Sequence, residues 1–253
     1  MQKFVALYDL HWGYERRGGH KVALHDVKAM NVALKFIHDF KPDHIILGGD
    51  MLDCGSISHH NHGKPGAVEG LKLLEDVKDL RNVLIKPLEA LKPKSLTYIM
   101  GNHEDWVNDL VERIPALEGI LDIPSLLKLS AAWKVVPNGE STKLGKLTFL
   151  HGDQVKGGEH SAKWATVAYE ANVRFGHHHT FQVYTKTSAL ESNGHTGIAV
   201  PCLCKKNPKY GGGSPNRWVQ GFLWGYVGPR SFNDYVTVII DGQATINGKT
   251  YTA

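Results

Sequence analysis

Short apolar runs recur along the first two-thirds of the chain, and each is followed by polar residues. Residues 4–7, 44–47 and 96–100 are examples, and a short apolar run with polar boundaries predicts a buried strand. Apolar positions at three- and four-residue spacing over about 25–40 and 67–92 predict helices between these strands, with a break near Pro87. Strands that alternate with helices predict an α/β fold.

The apolar spacing changes to every second residue in the middle of the chain, after two short predicted helices at about 105–113 and 123–131. Residues 135–136, 141–144 and 146–150 are separated by turn-forming residues, including an Asn-Gly pair. This pattern predicts β-hairpins.

The last third of the chain, 181–253, is mostly β by composition and follows a predicted helix at about 161–172. A Gly- and Arg-rich loop is expected at 13–19 and an irregular basic loop at 205–217. The sequence shows no repeat and no linker, so we expect one domain over 1–253, with its chemistry in 9–179.

Composition narrows the class of protein. The chain has 253 residues, of which 42% are hydrophobic, enough for one sizeable core and unlike collagen, coiled coils or disordered proteins. A formal net charge of +4 suits an anionic partner. The sequence has no run of about 18 apolar residues, so we expect no membrane span, and no signal peptide is recognised. Three cysteines make no disulfide framework, which favours the cytoplasm.

Residues that can bind metal follow five of the predicted strands. They are Asp9 and His11; Asp50 and Asp53; Asn102 and His103; His151; and His177 and His179. Ligands of open α/β sheets bind beyond the carboxyl ends of the strands. Carboxylates, imidazoles and an amide oxygen suit divalent Mn, Fe, Zn or Ni, and two such ions about 3.5–4 Å apart can clamp an in-line displacement at phosphorus.

The same residues form five ordered motifs. These are Asp9-Leu10-His11, Gly49-Asp50-Met51-Leu52-Asp53, Gly101-Asn102-His103-Glu104, His151-Gly152-Asp153 and Gly176-His177-His178-His179. In this set the chain resembles the calcineurin-like metallophosphoesterase superfamily, in particular its compact, stand-alone bacterial and phage members. The resemblance implies an α/β fold in which two facing mixed β-sheets are flanked by helices, a four-layer sandwich with the metals at one edge.

The resemblance also implies a role for each motif residue. Asp50 would bridge two divalent metal ions, and a hydroxide between the ions would attack phosphorus. The remaining ligands would be Asp9, His11 and His179 for the first ion and Asn102, His151 and His177 for the second. His103 would contact a phosphate oxygen or protonate the leaving alkoxide, as an imidazolium can near neutral pH. Asp53 and Glu104 would orient His or Asn ligands.

The chain departs from the Ser/Thr protein phosphatases of that superfamily. They carry arginines that grip a phosphate monoester, where this chain has Cys54 and the pair Asp105-Trp106. We therefore expect a phosphodiesterase acting on a nucleotide or nucleic acid. The alternatives are a phosphomonoesterase and a non-catalytic metal-binding scaffold for protein interaction.

Several further residues have two interpretations. Arg16, Arg17, His59 and His60 follow metal motifs and could contact substrate, or they could lie in solvated loops. His178 is expected to be structural, because it would point away from its ligand neighbours in an extended segment.

The C-terminal third contains two further candidate groups. The basic loop at 205–217, with Lys205, Lys206, Lys209 and Arg217, could contact nucleic acid, although a flexible loop is favoured. Cys202 and Cys204 could bind zinc only with two further ligands, so two cysteines on one face of a strand are favoured.

Overall fold

The computed structural model describes residues 1–187, 194–208 and 216–253, and within them the strands make up two large sheets and two small hairpins. The strands are β1 (Gln2–Leu7), β2 (Tyr14–Arg17), β3 (His20–Ala23), β4 (His44–Leu47), β5 (Ser95–Ile99), β6 (Trp133–Val136), β7 (Ser141–Leu144), β8 (Leu147–Leu150), β9 (Asn172–Phe175), β10 (Gln182–Lys186), β11 (His195–Ala199), β12 (Gly221–Val227), β13 (Phe232–Val238), β14 (Gln243–Ile246) and β15 (Lys249–Thr252). The helices are α1 (Val27–Phe40), α2 (Pro65–Val68), α3 (Leu73–Leu80), α4 (Lys86–Ala90), α5 (Asn102–Arg113), α6 (Ile123–Leu126) and α7 (Ser161–Tyr169). No helix in these ranges is both long and apolar enough to cross a membrane.

The first sheet has the strand order β13-β12-β1-β4-β5-β6. Strands β1, β4, β5 and β6 are parallel, whereas β12 and β13 are antiparallel additions from the C-terminal region. The prediction that residues 135–136 begin a hairpin was wrong, because β6 pairs in parallel with β5. The Asn138-Gly139 turn instead carries the chain from the first sheet to the second.

The second sheet has the order β10-β11-β9-β8-β7. Strands β8, β9 and β11 are parallel, and β7 and β10 are antiparallel edge strands. The predicted hairpin of β7 and β8 is confirmed, with Gly145 at its turn in a left-handed conformation (φ 57°).

The two sheets face each other across an apolar layer. Alternate residues of a strand point to opposite faces, so Phe4 and Ala6 of β1 join Phe149 of the second sheet in one cluster, while Val5 and Leu7 join the helices on the other side. Helix α7 covers the outer face of the second sheet. These layers confirm the predicted four-layer α/β sandwich.

Helix boundaries follow local signals. Helix α1 begins after Asp26, whose carboxylate accepts hydrogen bonds from the backbone N–H groups of Lys28 and Ala29. The expected break near Pro87 is absent. A π-helical turn (Arg81–Ile85) joins α3 to α4, so the helical path continues although Pro87 has no backbone N–H to donate.

Residues 13–19 form structure where a loop was expected. Strands β2 and β3 pair as a hairpin that turns at Gly18 and Gly19, both in left-handed conformations (φ 56° and 84°). A Gly-Gly pair is a known signal for a two-residue hairpin turn, so the sequence did contain this information.

Candidate metal and phosphoester site

All five motifs meet at one edge of the sandwich. Asp9 follows β1, Asp50 follows β4, Asn102 follows β5, His151 follows β8, and His177 follows β9. These five strands end at the same edge. Each motif directly follows its own strand, and the strand order then brings together residues that are far apart in the chain.

The first group of donor atoms lies around Asp9. Its Oδ1 is 3.4 Å from Nε2 of His179, and Nε2 of His179 is 3.2 Å from Nε2 of His11. Nε2 of His11 is in turn 3.7 Å from Oδ2 of Asp50. The predicted ligands of the first ion therefore lie together.

The second group lies on the other side of Asp50. Its Oδ2 is 3.3 Å from Nε2 of His151. Oδ1 of Asn102 is 3.0 Å from both Nε2 of His151 and Nδ1 of His177. Asp50 belongs to both groups, which is the placement that a bridging ligand requires. Carboxylate, amide and imidazole donors that converge in this way fit divalent cations.

The backbone at these positions is unusual. Five of the donor residues have left-handed conformations, with φ between 48° and 64°: Asp9, His11, Asp50, His177 and His179. For residues with a Cβ this conformation costs about 1–2 kcal/mol each, and such strain persists at functional sites when the surroundings enforce it. The turns aim consecutive side chains at a common centre.

Glu104 holds the Asp50 loop. Its buried carboxylate accepts hydrogen bonds from the backbone N–H groups of Asp50, Leu52 and Gly101, at 2.9, 3.0 and 2.9 Å, and from the hydroxyl of Tyr98. Burial, together with the charge of Asp50, raises the pKa of Glu104. Glu104 was expected to orient a His or Asn side chain; these contacts are instead with backbone N–H groups and hold the backbone of Asp50, the candidate bridging residue.

Two glycines permit the close approach of the motif loops. A Cβ on Gly101 would lie 2.1 Å from Oδ1 of Asp50, and one on Gly49 would lie 2.4 Å from Nδ1 of His151. Gly49 also has a positive φ of 98°. Any side chain at either position would displace one of the candidate metal donors.

His103 lies beside Asp50 with one ring nitrogen already engaged. Its Nδ1 is 2.7 Å from the backbone carbonyl of Asp53, which leaves Nε2 on the side of Asp50, 3.9 Å from Oδ2. The ring packs against Trp106 at a centroid distance of 4.0 Å. Burial lowers the pKa of His103, but the carboxylates of Asp50 and Asp53 outweigh it and raise that pKa to about 9.

In two buried histidines, the ring nitrogen that points away from the site has a partner of its own. Oδ1 of Asp53 is 3.2 Å from Nδ1 of His11, as expected for an orienting carboxylate. Nδ1 of His151 is 3.1 Å from the carbonyl of Gly48, so Nε2 is the ring nitrogen that faces the site. Burial and the neighbouring His151 lower the pKa of His177 to about 4, which keeps it in the neutral form that binds metal.

Burial raises the pKa of Asp50, but the surrounding histidines reverse this effect and hold that pKa well below its usual range. The carboxylate is therefore ionised, as a metal ligand must be.

His178 is structural, as expected: its Nε2 is 3.1 Å from the carbonyl of Val155, away from the donor groups.

A cavity of about 640 Å³ opens beside His103. Arg16 and His60, two of the four predicted substrate contacts, line it. In the part of the chain that the structure describes, the lining of this cavity does not include Arg17 or His59. Arg17 contacts Glu15 and the carbonyl of Asn207, and His59 faces Asp109.

The C-terminal candidates are only partly described. Lys209 lies outside the described residues, Lys205 and Lys206 line a separate surface depression, and Arg217 pairs with Glu159. Cys202 and Cys204 form isolated bridges rather than a strand. Sequence reasoning missed that Sγ of Cys204 lies 3.8 Å from Nδ1 of His179.

Two facing sheets with oxygen and imidazole donors at one shared edge define an α/β protein with a candidate metal-binding site. The family model of the calcineurin-like phosphoesterases matches residues 3–194, and the chain belongs to this family. The assignment confirms the resemblance seen in the motifs and makes the protein a metal-dependent phosphoesterase. A comparison with curated proteins found no significant match.

Solved structures show only distant similarity over the whole chain. Vps29 of Chaetomium thermophilum shares 11% identity with a TM-score of 0.49, covering 100% of this chain and 99% of that one. A dimetal phosphatase of Danio rerio shares 11% identity with a TM-score of 0.41, at 99% and 98% coverage. The phosphoesterase Yfce of E. coli shares 16% identity with a TM-score of 0.38, at 92% and 98% coverage. The family assignment rests on the family model alone.

Proposed function

We propose that this chain hydrolyses a phosphodiester, in a nucleotide or a nucleic acid, at a centre of two divalent metal ions. The observation that carries the proposal is the pair of donor groups that share Asp50. One ion would be held by Asp9, His11, His179 and Asp50, and the other by Asn102, His151, His177 and Asp50. When bound, such ions lower the pKa of water and neutralise charge on phosphate oxygens.

His103 is the proposed proton donor. Its Nδ1 is engaged by the carbonyl of Asp53, so Nε2 is the atom available to protonate the leaving oxygen. The ionised carboxylates of Asp50 and Asp53 favour the imidazolium, which is the form that can give a proton. Asp53 also fixes the ring of His11, and Glu104 fixes the loop of Asp50.

The absence of phosphate-gripping arginines supports a diester rather than a monoester. The Ser/Thr protein phosphatases of the superfamily carry such arginines where this chain has Cys54 and the pair Asp105-Trp106. In the cavity, a guanidinium nitrogen of Arg16 is already 3.4 Å from a carboxylate oxygen of Glu69. A phosphate monoester carries more negative charge than a diester and would need stronger neutralisation, so the chain fits the diester better.

The test compares two aryl substrates with the same protein. Chelator-stripped protein is refilled with Mn²⁺, Ni²⁺, Zn²⁺ or Mg²⁺, and release of p-nitrophenol is followed from bis-p-nitrophenyl phosphate and p-nitrophenyl phosphate. We expect the diester to have the higher kcat/KM with a transition metal. Faster cleavage of the monoester would indicate a phosphatase, and a protein that binds two ions without turnover would favour a scaffold.

Metal identity and compartment belong to the same proposal. The donor set suits Mn, Fe, Zn or Ni. Which of these metals is bound also depends on which of them the cell supplies. Cys54, Cys202 and Cys204 are all buried and free, which suits a reducing compartment such as the cytoplasm.

A further inference from the structure

The cavity beside His103 is lined by both polar and apolar residues. Asp53, Asn102 and His103 connect it with the candidate metal donors, and the ring of Trp106 packs against His103. Tyr14, Leu24, Ala67 and Leu71 also line it, and together they are named the apolar wall. A ligand that reaches the metal site through His103 would therefore place its remaining part against carbon.

Two segments of the chain build the apolar wall. The β2–β3 hairpin supplies Tyr14, and Leu24 follows it directly. The segment after the Asp50 motif supplies Ala67 on helix α2 and Leu71 after it. Helix α2 contacts strand β2, so the two segments support each other. The same cavity is lined by Asn102 and His103, which places this wall next to the donor groups.

Tyr14 is held in place at this wall. The ammonium of Lys21 lies 4.1 Å from the centre of its ring, and the ring of His25 packs against it edge-on at 5.3 Å. A fixed aromatic ring offers a planar surface that favours stacking with another planar ring. His60 also lines the cavity.

The volume sets the size of the ligand. A cavity of about 640 Å³ lies within the range of about 300–1,000 Å³ that accommodates organic ligands. A phosphate with a methyl group would leave most of it filled with water. Apolar walls and aromatic rings gain free energy only when a ligand covers them.

We propose that this cavity binds the organic group of the substrate, a planar aromatic group of nucleoside size, with Tyr14, Ala67 and Leu71 determining specificity. The inference rests on the proposed diester hydrolysis and identifies the part of the substrate that the protein recognises. Arg16 and Lys64, which also line the cavity, lie where polar groups of such a ligand would find donors.

The experiment uses two diesters that release the same p-nitrophenolate when water replaces it on phosphorus. Thymidine 5′-p-nitrophenyl phosphate carries a nucleoside, and methyl p-nitrophenyl phosphate carries a methyl group. Because p-nitrophenolate leaves without needing a proton from His103, the nucleoside is free to occupy the cavity beside this residue. We expect the metal-loaded protein to show a kcat/KM at least about 10-fold higher for the thymidine ester, which corresponds to about 1.4 kcal/mol of added binding.

Two variants locate the effect. Ala67→Phe fills the cavity, and Leu71→Ala removes part of its wall; each should reduce the ratio of the two kcat/KM values at least about 5-fold. Leu74→Phe is the matched control, because Leu74 is 60% exposed on the neighbouring helix α3 and does not line the cavity. It should leave the ratio unchanged.

The outcomes separate this inference from the proposed function. If neither diester is hydrolysed with any metal, the proposed function fails. If the methyl ester is hydrolysed and the wild-type ratio is near one, hydrolysis stands and the cavity proposal is overturned. A high ratio that both cavity variants leave unchanged would also overturn it, because the nucleoside would then bind elsewhere.

Discussion

Cys204 contacts a proposed metal ligand from the side opposite the metal. Its Sγ lies 3.8 Å from Nδ1 of His179, a position that a carboxylate or a backbone carbonyl usually occupies in metal sites. Cys202 lies two residues away, and its Sγ contacts the carbonyls of Val219 and Cys204 rather than the ring of His179. The two cysteines therefore form a natural pair of test and control.

We predict that Cys204→Ala weakens metal binding about 10-fold, because the ring of His179 loses its partner. Cys202→Ala should change the affinity much less. Titration of Mn²⁺ against a competing chelator measures both values at the same pH. Equal affinities for the two variants would show that the thiol does not position His179.

Asp76 is a buried carboxyl group close to other acids. Within the described part of the chain its Oδ1 has no hydrogen-bond partner, and only 6% of the residue is exposed. Burial raises its pKa to about 7; Lys21 partly opposes this, whereas Asp53, Asp79 and Glu75 add to it. The folded protein therefore holds the proton more tightly than the unfolded chain does.

This shift gives a pH-dependent stability with a defined sign. Between about pH 4 and pH 7 the unfolded chain loses the Asp76 proton while the folded protein keeps it, so the free energy of unfolding falls as pH rises. We predict that Asp76→Asn is more stable than wild type by about 1–2 kcal/mol at about pH 8, allowing for solvent screening. The difference should shrink towards about pH 4, as measured by urea unfolding. A difference that is constant with pH would contradict this assignment.

At the scale of secondary-structure elements, the turns that follow the strands fix the positions of the site residues. A methyl group on Gly101 would meet Oδ1 of Asp50 at 2.1 Å, so one added carbon would move the carboxylate shared by both donor groups. Gly66 offers a control, because a Cβ there would meet open space.

We predict that Gly101→Ala lowers kcat/KM at least about 100-fold, the scale of loss expected when a reacting geometry shifts by about 1 Å. Gly66→Ala should retain the wild-type value. Circular dichroism of both variants verifies the fold. Wild-type turnover by Gly101→Ala would show that the loops can separate without loss of function.

Elements could be predicted from the sequence where the signal is local. The strands that precede Asp9, Asp50 and His151 were evident because an apolar run and its polar end lie within a few residues. The pairing of β6 with β5 was missed, because residues 135–136 have the same local pattern whether they begin a hairpin or extend a parallel sheet. Only packing over the helices decides between the two.

The site also has a part that local signals predict and a part that they do not. The order of the motifs predicted the candidate ligand set, whereas the cavity and the Cys204 contact depend on segments that meet only after folding. Cys204 is 25 residues from His179 in the chain, and no spacing rule connects a thiol with the outer nitrogen of a histidine. Glu104 was placed near the site, but only the structure shows that it binds backbone N–H groups.

The C-terminal region is part of the whole sandwich. Strand β12 pairs with β1 in the first sheet, and β11 pairs with β9 in the second. An ion pair joins the sheets, since the fully buried Arg174 on β9 contacts the partly buried Asp234 on β13. We propose on this basis that residues 1–253 act as one domain.

We predict that Asp234→Ala lowers the free energy of unfolding by about 3–5 kcal/mol, because it leaves the fully buried guanidinium of Arg174 without its counter-charge. Removing both partners in Asp234→Ala with Arg174→Met should recover part of the loss. Chemical unfolding measures both variants. A loss below about 1 kcal/mol would place the pair among weak surface interactions.

The number of metal ions bound per chain tests the central claim most directly. Chelator-stripped protein is titrated calorimetrically with Mn²⁺, beside the variant Asp50→Asn. The shared position of Asp50 predicts two ions for wild type, with at least one lost or bound about 100-fold more weakly in the variant. A wild-type stoichiometry of one, or unchanged binding by Asp50→Asn, would contradict the two-ion centre.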